Sequence, residues 1–360
     1  MDVFEPVAFA EIAGWDADPK LAAFEAFRRS AFHALEKPYR SGSLGIRFES
    51  FADACEAARS APALTDAEAR NFFERFFRPM RVRPDNGHAH GLVTGFYEPI
   101  VEASPVRTGR FATPLLEPPA DLVAVHDSNR PAGMDPYLAW GRRTPAGLVE
   151  YPDRQAIESG AVRPDALALA WLADPVDAFF IHVQGAARLR MTDGTEKRVT
   201  YAAKSGQRFT GPGRVLLDLG ELRPGTVSMQ SIRAWLETHP NRVRDVLWRN
   251  RSYIFFREAA VSDPALGPVA AAKVPLTPGR SVAVDRLLHT FGTPFFVSSP
   301  TLRAFDGAPF ARLMIAQDTG SAIIGSARAD LFAGSGDAAG EVAGVVNHPA
   351  DFLALVPVAP

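Results

Sequence analysis

Apolar residues in the first part of the chain recur at helical spacing. The recurrence, every three or four residues on one face, is seen at Leu21, Phe24, Phe27, Ala31 and Leu35. Spacing of this kind is typical of an amphipathic helix, and the surrounding pattern predicts a helical segment over residues 19 to 80.

Two helix starts can be located more closely. In "TDAE" at 65 to 68, Thr65 can accept from the third helical amide while Glu68 reaches back, which forms a capping box. The helix that it opens carries Phe72, Phe73, Phe76 and Phe77. A second helix is predicted in "SMQSIRAWLETHP", with Ser228 as the N-cap and Pro240 at its end.

From residue 91 the pattern changes to short runs rich in β-forming residues, separated by Pro and Gly. The runs are "GLVTGFYEPIVEA", "AFFIHVQG", "RVLLDLG" and "SYIFFRE", and similar ones return after residue 280. This pattern favours β-barrels over alternating strands and helices, and a sheet that is not parallel. Residues 259 to 273 are poor in bulky side chains and are predicted to be a connecting loop.

Composition narrows the functional classes. The chain is 47% hydrophobic and 22% charged with a net charge of -2, which is typical of a globular protein and argues against a nucleic-acid partner. Its apolar stretches are too short for a transmembrane span, and residues 1 to 20 lack the basic and apolar regions of a secretory signal. Cys55 is the only cysteine; it is predicted to be a small buried hydrophobe and not a lipid-attachment site.

The sequence "QDTGS" at 317 to 321 resembles the active-site loop of aspartic proteases. A pepsin-like enzyme needs two such loops because two carboxylates share one proton. Asp-Thr-Gly occurs once here, and "MTDGTE" at 191 to 196 has the wrong order, so the pair would require a homodimer. The protease hypothesis is therefore disfavoured, and a turn-forming role for Asp318 is the structural alternative.

Asp318 stands out among the acidic residues of the C-terminal region. Five aspartates fall within one stretch of this region: Asp285, Asp306, Asp318, Asp330 and Asp337. Asp318 lies between the apolar runs "LMIA" and "SAII", so partial loss of water is expected to raise the pKa of its carboxyl toward neutrality. A carboxyl of this kind can donate a proton as a general acid.

Nine ordered blocks of sequence resemble the membrane-bound lytic murein transglycosylase A (MltA) family. They are "VTGFYEP", "YPDRQAIESGAV", "WLADPVDAFFIHVQG", "VTYAAKSGQ", "SMQSIRAWLETHP", "NRSYIFFRE", "SVAVDRLLHTFGTPFFV", "RLMIAQDTGSAIIGSARADLFAGSGDAAGEVAG" and "NHP". The chain departs from the family pattern in three places: "DTGS" stands for Asp-Thr-Gly-Gly, "QGAA" for Gln-Gly-Ser-Gly and "NRS" for Asn-Pro-Ser. The first departure places Ser321 beside the expected acid.

The resemblance implies a mainly β fold with N-terminal helices. It implies a double-psi β-barrel catalytic domain, formed by residues 1–99 together with 256–360 and containing the 3D (three-aspartate) region. A second β-domain, residues 100–255, would be inserted and would form the other wall of a substrate groove.

The resemblance also implies the reaction, the cleavage of the MurNAc–GlcNAc bond of peptidoglycan with formation of 1,6-anhydro-MurNAc ends. The substrate supplies its own C6 hydroxyl as the nucleophile, so one carboxyl, Asp318, can act first as acid and then as base. Thr319 and Gly320 would set its direction, and Asp285 and Asp330 would support it. No metal and no cofactor are expected.

A sugar polymer needs aromatic faces and amide donors along its binding site. The candidates for substrate binding are Tyr97, Glu98, Gln184, Lys204 and Gln230. The expected partners are peptidoglycan glycan strands and other murein-synthesis or murein-degrading proteins. By the resemblance, the expected location is the periplasm or the outer membrane, although no signal peptide or lipid-attachment cysteine is visible in the sequence.

Two alternatives stay open at this point. A glycoside hydrolase on a related barrel would need a second carboxylate, roughly 6.5–9.5 Å from Asp318 if the enzyme inverts configuration. A non-catalytic carbohydrate-binding wall protein would use the same residues without turnover.

Overall fold

A computed structural model describes residues 3–85 and 87–358. In chain order its strands are β1 (Phe4–Pro6), β2 (Phe77–Val82), β3 (Gly91–Glu98), β4 (Ile100–Ser104), β5 (Thr113–Leu116), β6 (Leu122–Ala124), β7 (Trp140–Thr144), β8 (Gly147–Glu150), β9 (Ala168–Leu172), β10 (Ala186–Met191), β11 (Glu196–Lys204), β12 (Ile254–Glu258), β13 (Ser281–Val284), β14 (Pro294–Ser299), β15 (Phe310–Asp318), β16 (Arg328–Ser335) and β17 (Asn347–Pro357).

Among the described residues the α-helices are fewer than the strands, and the longest has 16 residues. They are α1 (Leu21–Glu36), α2 (Ala52–Ser60), α3 (Asp66–Phe76), α4 (Arg154–Ala156), α5 (Pro175–Gln184), α6 (Pro212–Asp218), α7 (Met229–Thr238), α8 (Val243–Leu247) and α9 (Asp337–Gly344). Within residues 3–85 and 87–358, none of these helices combines the length and apolar character needed to cross a bilayer.

The chain divides into two compact units. The first unit consists of Met1–Tyr97 and Val261–Pro360, and the second unit of Glu98–Ala260. The second boundary falls within residues 259–273. The structure has no helix or strand in these described residues, and Val269 forms only an isolated bridge with Pro275.

The first unit is built on one large sheet. Its strand order is β1-β2-β17-β14-β15-β13-β16-β3, and an additional pairing of β17 with β3 closes six of these strands into a ring. The pairs β14–β15, β14–β17, β13–β16 and β17–β3 are antiparallel, whereas β13–β15 is parallel. The predicted mainly β fold is confirmed, and its double-psi topology stays a prediction.

The predicted N-terminal helical segment is only partly right. In α1, Phe24, Phe27 and Ala31 are buried as expected, but Leu35 is 60% exposed. The capping box of α3 is present, since the Glu68 amide donates to Thr65 and the Thr65 amide donates to the Glu68 carboxylate.

The end of the segment is not helical. Helix α3 stops at Phe76, and residues 77 to 82 pair with β17 as strand β2. Pro79 accounts for part of this change because a proline disfavours a helical conformation at the residue before it. The prediction of helix up to residue 80 was therefore wrong for this part.

The second unit contains a six-stranded sheet, β12-β11-β10-β4-β9-β5, and a three-stranded sheet, β6-β7-β8. Two runs predicted as strands are helices instead. "AFFIHVQG" lies largely in α5, which begins with the N-cap Asp174 and Pro175 and ends at Gly185 in a left-handed conformation (φ 77°). "RVLLDLG" lies largely in α6, which also begins at a proline, Pro212.

The misreading of α5 has a physical cause. Ala178 and Ile181 pack into one apolar cluster, while Phe179 and Phe180 pack into another. A helix buried on two sides lacks the one-sided pattern that distinguishes helix from strand. The predicted helix at "SMQSIRAWLETHP" is confirmed, with the Ser228 hydroxyl accepting from the Ser231 amide.

Cys55 is buried on α2, as predicted. Burial raises the pKa of its thiol to about 11.

Candidate active site

The end of β15 is held in place by a buried glutamine. Gln317 is fully buried; its amide nitrogen donates to the Ala26 carbonyl and to the Ser30 hydroxyl, both at 2.8 Å. Its side-chain oxygen accepts from the Ser281 hydroxyl at 2.5 Å. Helix α1 and strand β13 therefore both hold the residue that precedes Asp318.

Gln317 is also the extra residue of a β-bulge. In the pairing of β13 with β15, Val282 lies opposite Ala316 and the next residue, Ala283, lies opposite Asp318. A bulge of this kind redirects the side chains that follow it, and bulges are frequent beside active sites. Here the bulge brings Asp318 level with Ala283.

Asp318 is the last residue of β15 and is partly exposed. Its Oδ1 accepts a hydrogen bond of 3.1 Å from the Ala271 amide. The loss of surrounding water raises the pKa of its carboxyl to about 6, although the amides of Thr319 and Ala271 act in the opposite direction. The expectation of a raised pKa is confirmed, and such a carboxyl can both donate and accept a proton near neutral pH.

A tight turn holds this carboxyl from one side. The Ala271 amide binds Asp318, and the Ala272 amide donates to the Gln317 carbonyl at 3.0 Å. Lys273 follows with a φ of +63°, the only positive φ of a non-glycine residue recorded in the part of the chain that the structure describes. A positive φ costs free energy for a lysine. The positive charge of the Lys273 side chain lowers the pKa of Asp318, against the effect of burial.

A second carboxylate lies on the same face of the sheet. Ala283 pairs with Asp318 on one side and with Asp330 of β16 on the other. Adjacent strands are about 4.8 Å apart, so the two aspartate Cα atoms are separated by about 10 Å. The negative charge of Asp330 adds to the rise in the pKa of Asp318 that burial causes.

Asp330 is itself held by hydrogen bonds. It accepts from the Thr94 hydroxyl at 2.7 Å, and that hydroxyl accepts from Nη2 of Arg328 at 2.8 Å. Burial raises the pKa of Asp330, whereas the Thr94 hydrogen bond and the charge of Arg328 lower it.

Apolar side chains surround the residue between the two aspartates. Ala283 belongs to a buried cluster with Phe96, Leu276, Ile323 and Phe332. Because Ala283 lies between the two aspartates, this cluster contributes to the loss of water that raises the pKa of both carboxyls.

Asp285 takes a different position. It is buried just after β13, where its Oδ1 accepts from the Leu287 amide and its Oδ2 from the Gly325 amide, both at 3.0 Å. The carboxylate therefore ties the loop after Asp318 to the end of β13. This arrangement suits a structural role in holding the loop.

The loop itself is exposed. Thr319 is partly exposed, whereas Gly320 and Ser321 are exposed. The Ile323 amide donates to the Gly320 carbonyl at 3.0 Å, so the loop turns back immediately after Asp318.

The five substrate-binding candidates are distributed over both units. Tyr97 is buried in the first unit, where its ring lies against Gly340 of α9. Gln184 and Gln230 are partly exposed in the second unit. Lys204, also in the second unit, has its ammonium 5.6 Å from the centre of the Tyr137 ring, and burial lowers its pKa.

Glu98 is fully buried in the second unit. Its carboxylate lies 3.1 Å from Arg188 and 3.8 Å from Arg198. Two cations around one buried carboxylate form a structural ion-pair network.

Two family models match the chain in succession. The MltA specific insert domain matches residues 92–257, and the 3D domain matches residues 280–356. The crystal structure of a membrane-bound lytic murein transglycosylase from Agrobacterium tumefaciens is 49% identical, covers 98% of this chain and 97% of that chain, and superposes with a TM-score of 0.92. The chain belongs to the membrane-bound lytic murein transglycosylase A family.

More distant members of the family extend the comparison. Membrane-bound lytic murein transglycosylase A of Escherichia coli K12 is 34% identical over 260 residues, which are 71% of this chain and 62% of that protein. The chain thus spans about 62% of the length of this curated relative. The crystal structure of E. coli MltA with bound chitohexaose is 27% identical, covers 94% of this chain and 90% of that chain, and has a TM-score of 0.68.

The family matches divide the candidate residues in two. The catalytic and supporting candidates, Asp285, Asp318, Thr319, Gly320 and Asp330, lie in the 3D match, and the substrate-binding candidates lie in the MltA insert match. The sequence analysis missed four residues around Asp318, which are Thr94, Ala271, Lys273 and Arg328. Thr94 lies in the block "VTGFYEP" and could have been singled out there, whereas a backbone amide such as that of Ala271 leaves no signal in the sequence.

Proposed function

We propose that the chain is a lytic transglycosylase that cleaves the β-1,4 bond between MurNAc and GlcNAc in peptidoglycan during cell-wall turnover. Asp318 is its single acid and base. The observation that carries the proposal is an oriented carboxyl at a strand end whose pKa is raised to about 6, in a member of the MltA family. The shared family name supports the reaction class.

In the proposed reaction the protonated Asp318 donates its proton to the glycosidic oxygen, and the bond from that oxygen to C1 of MurNAc breaks. The C6 hydroxyl of the same MurNAc then attacks C1. Asp318, now a carboxylate, takes the proton from that hydroxyl as the 1,6-anhydro ring closes. No water is consumed, and Asp318 ends in its starting protonation state.

The chain's other residues prepare this carboxyl. The Ala271 amide binds one oxygen and fixes the direction of the group. The cluster around Ala283 limits the access of water, which raises the pKa and disfavours hydrolysis of the activated sugar. Asp285 holds the loop that contains Thr319 and Gly320 through the Gly325 amide.

The presence of Asp330 as a second carboxylate near Asp318 favours a second candidate function, that of an inverting hydrolase. Such an enzyme needs a second carboxylate that activates water. However, Oδ1 of Asp330 already accepts a hydrogen bond from Thr94, and Asp330 lies on the same sheet face as Asp318. The relatives named above carry transglycosylase names, so the hydrolase is the less supported candidate.

We further propose that the substrate is bound by Tyr97, Gln184, Lys204 and Gln230, with Glu98 stabilising the second unit from inside. The chitohexaose in the E. coli relative supports a β-1,4-linked amino-sugar chain as the ligand class. The two units would correspond to a double-psi barrel and an inserted β-domain. The name membrane-bound supports a location in the cell envelope, at the outer membrane.

The test is mass spectrometry of the soluble products released from purified peptidoglycan sacculi. Wild type is expected to release 1,6-anhydro-MurNAc products, and Asp318→Ala none. Asp306→Ala, which removes an aspartate paired with Arg312 in the same unit, is the matched control and should retain activity. Products with ordinary reducing ends would support the hydrolase, and binding without release would support a carbohydrate-binding protein.

A further inference from the structure

One hydroxyl connects a cation to the second carboxylate of the site. Thr94 on β3 donates to Oδ1 of Asp330 at 2.7 Å and accepts from Nη2 of Arg328 at 2.8 Å. A threonine hydroxyl has a single proton, so this geometry gives it one direction: it accepts from arginine and donates to the carboxylate. Strands β3 and β16 are neighbours in the sheet, which keeps the three groups in register.

We propose that Thr94 is a positioning residue of the active site, whose hydroxyl holds the Asp330 carboxylate ionised and fixed on the sheet face that it shares with Asp318. The proposal rests on the proposed function, since it assigns to Asp330 an electrostatic role toward the acid Asp318.

The chemistry of the hydrogen-bond chain favours the ionised form of Asp330. A hydroxyl that accepts from a guanidinium is polarised and becomes a stronger donor to the next acceptor. Such a donor stabilises a carboxylate more than a carboxylic acid. The guanidinium acts on Asp330 both through Thr94 and by its own charge, and the carboxylate in turn acts by its charge on Asp318 across Ala283.

The charge on Asp330 makes Asp318 more available as a proton donor. Burial raises the pKa of Asp318, and the charge on Asp330 raises it further, so more of Asp318 is protonated near neutral pH. If Asp330 lost its donor, it would itself hold a proton more tightly, and Asp318 would then ionise at lower pH because its neighbour is neutral.

The other charged groups near the pair are few. Lys273 in the turn before β13 acts on Asp318 in the opposite direction. Arg328 is the cation that acts on Asp330. Helix α9, which follows β16, carries Asp337 and Glu341 at exposed positions.

The test is a direct titration of the aspartate carboxyls by carbon-13 NMR in the full chain, without substrate. The variants are Thr94→Val, which keeps the shape and removes the hydroxyl, Thr94→Ser, which keeps the hydroxyl, and Asp330→Asn, which removes the charge. The Asp318 signal is assigned with Asp318→Asn. Thr94→Val is expected to lower the pKa of Asp318 in the direction of Asp330→Asn, and Thr94→Ser is expected to match wild type.

The pH profile of product release gives a second reading. The alkaline limb should move to lower pH in Thr94→Val and Asp330→Asn, so that at a pH above the limb the rate falls several-fold, since each pH unit of displacement corresponds to about a factor of ten. A lower rate with an unmoved limb and an unchanged Asp318 titration would overturn the proposal and leave Thr94 a packing role.

The titration keeps the two proposals separate. It needs no turnover, so it reads the interaction of the carboxyls even if wild type releases no 1,6-anhydro products. Should Thr94→Val unfold, Arg328→Gln removes the same hydrogen-bond chain from its other end and is expected to shift the Asp318 titration in the same direction. An unshifted titration in a folded Arg328→Gln would contradict the proposal.

Discussion

Asp318 and Asp330 lie opposite the same residue, Ala283, on the two strands that flank β13. The pairing places both carboxyls on one face of the sheet. The side chain that lies between them on β13 is the methyl group of Ala283. A small residue at this position leaves room between the two acids, and the surrounding apolar cluster keeps water away. This relationship explains how a proposed single-acid enzyme can carry a second aspartate that acts by charge.

The proposed acid sets the pH dependence of the reaction. Asp318 must be protonated to act, and burial raises its pKa to about 6. We therefore expect kcat/KM for release of labelled material from sacculi to fall by about tenfold per pH unit once the pH exceeds about 6. An activity that rises from pH 6 to pH 8 would show that another group is the acid.

Neutralising Lys273 should have the opposite effect to losing the Asp330 charge. Burial raises the pKa of Asp318 and the ammonium of Lys273 acts against it, so Lys273→Gln is expected to move the alkaline limb to higher pH. Lys197→Gln, which removes a cation paired with Glu258 in the second unit, is the matched control. Identical limbs in all three proteins would mean that the charge of Lys273 does not reach Asp318.

The raised pKa of Asp318 should cost stability. The folded state binds this proton more tightly than the unfolded chain, so the free energy of unfolding falls as the pH rises from about 4 to about 6 and stays lower above. The upper bound is about 3 kcal/mol, and partial exposure of the side chain reduces it to roughly 1–2 kcal/mol. Asp318→Asn should therefore be more stable than wild type at pH 7.5 and nearly equal at pH 3.5.

Urea unfolding at both pH values measures this difference. Asp306→Asn is a control of opposite sign, because the hydrogen bond from Arg312 lowers the pKa of Asp306. An Asp318→Asn protein that is less stable than wild type at pH 7.5 would contradict the assignment of an unfavourable, partly desolvated charge to Asp318.

Substitution of Glu98 distinguishes a structural role of this residue from a substrate-binding role. Its carboxylate is fully buried beside Arg188 and Arg198, so Glu98→Ala removes the buried negative charge that both cations face. We expect a loss of about 3–5 kcal/mol in the free energy of unfolding. The exposed pair Glu102–Arg110 provides the control, since Glu102→Ala should cost less than about 1 kcal/mol. Equal stabilities with weaker glycan binding would instead place Glu98 at the substrate.

Features that depend on local sequence patterns could be predicted from the sequence. The capping box at Thr65, the helix after Ser228 and the burial of Cys55 each depend on a few neighbouring residues, and each is confirmed. The raised pKa of Asp318 could also be predicted, because apolar residues flank it on both sides in the sequence.

What the sequence could not reveal depends on contacts between distant segments. Gln317 forms a bulge because its side chain bonds to α1, almost 300 residues away in the chain, and only this bulge aligns Asp318 with Ala283. Thr94 and Asp330 meet through sheet pairing across more than 200 residues. Helix α5 was misread for a related reason, since it is buried by two separate clusters.

The most direct test of the central claim is digestion of sacculi in water enriched in oxygen-18, followed by mass spectrometry of the new sugar ends. If Asp318 acts alone and the C6 hydroxyl of MurNAc is the nucleophile, the products are 1,6-anhydro ends without the heavy isotope. Reducing ends that carry oxygen-18 would show that water attacks C1, and would contradict the single-acid mechanism.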